Sequence, residues 1–171
     1  MNYIRRVLGY VPTNAGGKRP CGLVLVGMGH DGHFYVDGDF SGTAETVNVP
    51  AIYMKNEVDY LVTGPKPTTH LEPLAENVYG LMIEDVGVDE RPKAKPGTLY
   101  VKQTPESVEH VQTVSSLYQR GRVQSSKGAD LTELERERTA PHKQVPAAVR
   151  ALAIAVMDLV VARTRTSARR Y

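Results

Sequence analysis

Asp37 and Asp39 come closest to a paired-carboxylate site in this chain of 171 residues. On a strand, residues two apart share a face, and two carboxylates there supply the hard oxygen ligands that a divalent cation needs. The plainer reading makes them solvated edge or turn residues, and it is preferred because paired strand acids are commoner than sites. His30 and His33 flank an Asp31-Gly32 turn and, with Asp31, are candidates for a surface metal. No further ligand is apparent, so exposed turn residues are expected. Gly16-Gly17-Lys18 offers half of a phosphate-binding loop, without the GxxxxGK[ST] spacing or a helix directly after it, which reads as a hairpin loop. His70, His110 and His142 are scattered, and Ser115-Ser116 and Ser125-Ser126 show no Ser-His-Asp logic or nucleophile elbow. The single cysteine, Cys21, excludes an internal disulfide and a cysteine-based zinc cage.

Charge narrows the field further. There are 21 Lys+Arg against 19 Asp+Glu, a formal net charge of +2, so the domain as a whole lacks the basic footprint that binds nucleic acid by charge alone. Arg163, Arg165, Arg169 and Arg170 cluster in a basic tail, expected over 163–171, that either touches nucleic acid or an acidic neighbouring subunit, or is a solvated terminus. Hydrophobic residues at 41% and charged residues at 23% describe one globular domain, expected over 1–162. The most apolar stretch, Ala151 to Ala162, contains Asp158 and is too short for a membrane span, so a buried helix is expected and no membrane partner. The N-terminus reads as lacking a signal peptide, which places the chain in a cytosol or in something assembled there.

The elements follow from pattern. Strands are expected at 3–12, 21–29, 33–40, 58–63, 98–102 and 122–124, the second buried on both faces and joined to the third by the Asp31-Gly32 hairpin. On the third, alternation puts Phe34, Val36 and Phe40 on one face and Tyr35, Asp37 and Asp39 on the other. Residues 43–57 are broken by Pro50 into a short or irregular segment. Residues 69–85 place Leu71, Leu74, Val78, Leu81 and Met82 at helical spacing. A helix capped by Thr104 runs to Arg120 and stops at Gly121, a short one covers 130–138, and Pro146 opens the last, to about Ala162. A hairpin followed by βα crossovers predicts a mixed sheet with helices on both faces.

Several stretches in this order resemble the C-terminal nuclease domain of the large terminase subunit of tailed bacteriophages, an RNase H-like α/β fold. At the back, Val114, Leu117-Tyr118-Gln119-Arg120-Gly121-Arg122-Val123, Leu131-Thr132-Glu133-Leu134-Glu135 and Val145-Pro146-Ala147-Ala148-Val149-Arg150-Ala151-Leu152 match the family's turn, short helix and final helix. At the front, Val7-Leu8-Gly9-Tyr10-Val11-Pro12, Gly22-Leu23-Val24-Leu25-Val26-Gly27, Phe34-Tyr35-Val36 and Ser41-Gly42 are similar to the family's first three strands. The match weakens over residues 43–97.

The resemblance implies a site for two divalent cations held by carboxylates, which activate a water and stabilise the leaving oxygen. It also implies where those acids belong, and this chain has other residues there. The first-strand position is Val11, the fourth-strand position Thr63 or Gly64, and the two last-helix positions Ala147 and Arg150. The acidic turn after the fourth strand is replaced by Pro65-Lys66-Pro67. A guanidinium cannot shed its charge at neutral pH, and at about 4 Å and an effective dielectric near 20 each unit repulsion with an ion costs about 4 kcal/mol. Arg150 is expected either to bind a phosphate or to pair with an acid such as Asp37 or Asp59, the pairing being preferred.

The expectation is therefore a nuclease-like protein with no catalytic residues, no metal and no cofactor, reused as a structural virion component of a tailed phage. It is expected as a minor or decoration protein on the capsid, with other virion proteins as partners and room for homo-oligomers, assembled in the host cytoplasm. The alternative is a DNA-binding module of the packaging machinery that uses Lys18, Arg19, Lys66, Arg150, Arg163, Arg165, Arg169 and Arg170. A rebuilt, active metal-dependent nuclease is the third reading.

Overall fold

The computed structural model describes residues 2–12, 18–64, 71–87, 92, 95–141 and 143–169, the side chains of 72, 73 and 164–169 excepted. In chain order the elements are β1 (Tyr3–Val11), β2 (Gly22–Gly29), β3 (Phe34–Asp39), α1 (Val49–Lys55), β4 (Tyr60–Thr63), α2 (Leu71–Tyr79), β5 (Met82–Asp85), β6 (Thr98–Gln103), α3 (Val108–Gln119), β7 (Val123–Ser125), α4 (Thr132–Thr139) and α5 (Ala147–Arg169). The strands form one seven-stranded sheet in the order β5-β6-β4-β1-β2-β3-β7. β1, β2 and β3 are antiparallel neighbours, while β4, β5, β6 and β7 join in parallel.

The apolar run of β2 is buried along its whole length, because helices cover both sides of the sheet. On one side Val7, Val24, Val36 and Val62 pack with Leu152 and Leu159 of α5, and α3 and α4 lean on that helix. On the other, Leu8, Leu25 and Leu61 pack with Tyr53 of α1 and with Leu71 and Ala75 of α2. α5 sits directly on strand backbone. A Cβ added at Gly9 would lie 2.0 Å from the Ala151 carbonyl oxygen, and one at Gly22 would lie 2.2 Å from that of Ala147. Only glycine permits that approach.

Three local features differ from the sequence reading. The pattern over 69–85 is not one helix. Gly80 adopts φ +63°, Leu81 donates back to the Ala75 carbonyl at 2.9 Å, and the chain then becomes β5, which leaves Val78 and Met82 exposed. Thr104 does not cap α3, since its N–H still bonds Thr63 of β4 at 2.9 Å; Ser107 is the cap, accepting from the Glu109 N–H. The final helix continues past Ala162 to Arg169. The expected short segment at Pro50 is the seven-residue α1, with Pro50 in its first turn behind the Asn48 cap, where a missing N–H costs nothing.

A charged group lies under α5. Lys102 of β6 and Asp158 of α5 are 4% and 2% exposed, with Nζ and Oδ1 2.6 Å apart. Tyr60 of β4 donates its hydroxyl to Asp158 Oδ2 at 2.6 Å and accepts from Arg5 Nη1 at 3.1 Å. Lys102 also lies 5.3 Å from the Tyr60 ring centroid. Removing one partner from a buried pair strands the other charge, so Asp158→Ala is expected to cost about 3–5 kcal/mol in urea unfolding, with Lys102→Met/Asp158→Leu restoring most of it. A loss below about 1 kcal/mol, the size of an exposed pair, would show that the group is not the buried network described here.

The sheet also buries phenols and the thiol. Burial pushes Cys21 up from 9.0 to about 11 and Tyr53 from 10.0 to about 12, and raises Tyr10, Tyr60 and Tyr118 further still. Each folded value lies above its unfolded one, so the folded state holds these protons more tightly. Their contribution to stability is complete below the unfolded values and is lost as pH rises through the folded ones. Stability should hold to about pH 9 and fall between there and pH 12. Tyrosinate absorbance should then rise together with loss of the circular dichroism signal. Ionisation of all nine tyrosines well before unfolding would contradict the burial.

Candidate functional site

β1 and β4 run parallel, with Tyr10 beside Thr63, so both strands end at the same rim. α3 begins and α5 passes above that rim, enclosing a cavity of about 550 Å³. Val11, Thr63, Gly64 and Arg150 all line it. Four of the five positions singled out in the sequence thus converge. Ala147 does not: it is buried against Gly22, because the first turn of α5 lies over β2.

Glu106, between β6 and α3, meets Arg150 across the cavity wall. Arg150 Nε donates to Glu106 Oε1, and Nη2 donates to Oε2 at 2.9 Å. The two-point fork is the geometry in which a guanidinium holds a carboxylate best. Arg150 therefore pairs with an acid, but that acid is neither Asp37 nor Asp59. Both of those lie beside Arg6: Asp37 Oδ2 accepts from Arg6 Nε at 3.1 Å, and Asp59 Oδ2 from the Arg6 N–H at 2.9 Å. No sequence signal marks Glu106, which follows a strand in a stretch that reads as a helix start.

Asp37 and Asp39 do not share a face. The register of β2 with β3 shifts between Leu25 and Val26, so β3 holds an extra residue there and its alternation flips. Asp39 stands opposite Val24 on the α5 side, and Phe40 packs in the other core, away from Phe34 and Val36. Asp37 accepts from Tyr3 at 2.6 Å and from Ser126, beside Arg6, in a wide polar cleft of about 1140 Å³. Asp39 is held by Arg19 at 2.7 Å, which also bridges to Glu137 of α4 at 2.6 Å. Two acids on opposite sides of a sheet, each with its own arginine, cannot clasp one ion.

The remaining candidates disperse. Asp31 takes the Tyr35 hydroxyl, with the His33 ring 3.4 Å away, and these contacts hold its carboxyl below the usual range, Tyr35 most and then the His33 N–H. Among the described residues, no three His, Cys, Asp or Glu are grouped to hold a metal ion. His110 lines the cavity near Arg150, while His70 and His142 lie outside the described residues, as do Gly16, Gly17, Lys66 and Arg170. Of the basic residues, Lys18 is exposed, Arg19 and Arg150 are ion-paired, and the Arg163 guanidinium lies over the Gly32 turn. Arg165 and Arg169 continue α5.

No family model matches the sequence, and no curated protein matches it. Among solved structures, a yeast mitochondrial Holliday junction resolvase is similar with a TM-score of 0.50 at 10% identity, over 88% of this chain and 76% of that one. The human cytomegalovirus terminase nuclease domain follows at 0.48 and 11% identity, over 90% and 81%. At such identity the likeness to the resolvase establishes architecture: this chain has an RNase H-like mixed sheet, with a leading antiparallel hairpin, parallel strands after it, and helices on both faces.

Proposed function

We propose that this chain is a nuclease-like protein that does not cleave nucleic acid and that serves as a structural component of a tailed-phage virion, bound to capsid or neighbouring virion proteins. The observation that carries the reading is the Arg150–Glu106 fork at the end of β1 and β4. Where the resemblance to phage terminase nuclease domains calls for acids, the cavity has the valine Val11, the neutral Thr63 and Gly64, and a guanidinium already bound to a carboxylate. A cation entering there finds no free acid among the described lining residues, because Glu106, the one carboxylate among them, is already bound by Arg150. Tyr10, Val11, Thr63 and Ile154 of its lining are nonetheless buried in the core, which supports use of the fold as a shape. The virion role rests on the phage resemblance and on a near-neutral net charge.

DNA binding is the weaker reading. Two of the cations it would use, Arg19 and Arg150, spend their charge on Asp39, Glu137 and Glu106 inside the fold.

Plasmid nicking by the full chain with magnesium or manganese should stay at background, and manganese titration should show no saturable site. Nicking that disappears in an Asp37→Ala protein would restore the enzyme reading. Mass spectrometry of purified particles should find the chain, and its absence from mature virions would remove the structural role. The fork is part-exposed, so a double-mutant cycle of Arg150→Ala and Glu106→Ala should give a coupling of about 1 kcal/mol in urea unfolding. No coupling would mean that the two side chains do not hold each other across the cavity.

A further inference from the structure

The same cavity has walls suited to an occupant other than an ion or a nucleic acid. Its volume of about 550 Å³ matches a small organic molecule, and Val11, Val111, Val145 and Ile154 make much of its wall apolar. Interfaces for a phosphate backbone are polar and strongly basic, and this one is neither. Glu106 is the sole carboxylate among the described lining residues, and the Arg150 fork cancels its charge. Among the described lining residues this leaves Lys143 as the charged side chain outside the fork, on the same cavity as the first turn of α3, whose macrodipole adds to the positive field.

We propose that this cavity binds a small organic anion, with an apolar, ring-sized body against Val11, Val111 and Ile154 and its acidic group toward Lys143. The inference uses the cavity alone and does not depend on the virion role. Its failure is read from ligand binding, whereas failure of the virion role is read from particle composition.

The test is calorimetric titration of the full chain with naphthalene-2-sulfonate and with its neutral counterpart naphthalene-2-methanol. The sulfonate should bind one per chain and about tenfold tighter than the alcohol. Lys143 is exposed, so Lys143→Glu should fold normally, lose the preference for the anion and keep the alcohol's affinity. Val111→Phe, checked for an unchanged melting transition, should weaken both probes by taking up cavity volume. The proposal is overturned if neither probe saturates, if both bind alike, or if Lys143→Glu leaves the preference intact. It is also overturned if a single-stranded oligonucleotide displaces the sulfonate one for one, which would make the cavity a nucleic-acid site.

Discussion

The close seating of α5 on β1 and β2 is the constraint from which the rest of the molecule follows. Gly9 and Gly22 let helix backbone touch strand backbone, where any Cβ would collide with a carbonyl oxygen. Interiors are close-packed, so a contact this short fixes both the height and the rotation of the helix. Its rotation sets what each turn presents. Ala147 is pressed on β2, Arg150 reaches the rim of β1 and β4, and Asp158 comes down on Lys102 and Tyr60. The cavity and the buried ion pair are thus two ends of one rigid placement.

Charge in this fold is spent locally. Asp37 is answered by Arg6, Asp39 by Arg19, Glu106 by Arg150, and Asp158 by Lys102. Lys102 with Asp158 ties the sheet to α5, Arg150 with Glu106 ties α5 to the segment before α3, and Arg6 with Asp37 joins two strands of the sheet. Their side chains range from nearly sealed to about a quarter exposed, and the energy of each follows that range, from a large penalty for breaking the sealed pair to a small gain for the open fork. At the rim of β1 and β4 this arrangement sets the Arg150 guanidinium against the Glu106 carboxylate.

Much of the architecture was legible in pattern alone. The apolar run of β2, the Asp31-Gly32 turn, the stop at Gly121 and the start after Pro146 each carry local chemistry that the structure obeys. Val11, Thr63, Gly64 and Arg150, aligned through the resemblance, line one cavity. What escaped was non-local. β5 satisfies helical spacing as well as strand spacing, and pairing with β6 decides between them. One extra residue in β3 reverses which face Asp39 and Phe40 occupy, and no residue type announces it. Glu106 and Lys102 acquire their partners only when the sheet and α5 meet.

The two margins of the sheet shape how this molecule can keep company. β5 has four residues and ends in Glu84 and Asp85, and β7 has three. Stubs this brief, one of them acidic, make poor templates for a foreign strand, so the backbone resists zipping into fibrils when copies are crowded. Neighbours in any dense assembly must meet side chains on helical and loop surfaces instead, where fit is specific and reversible.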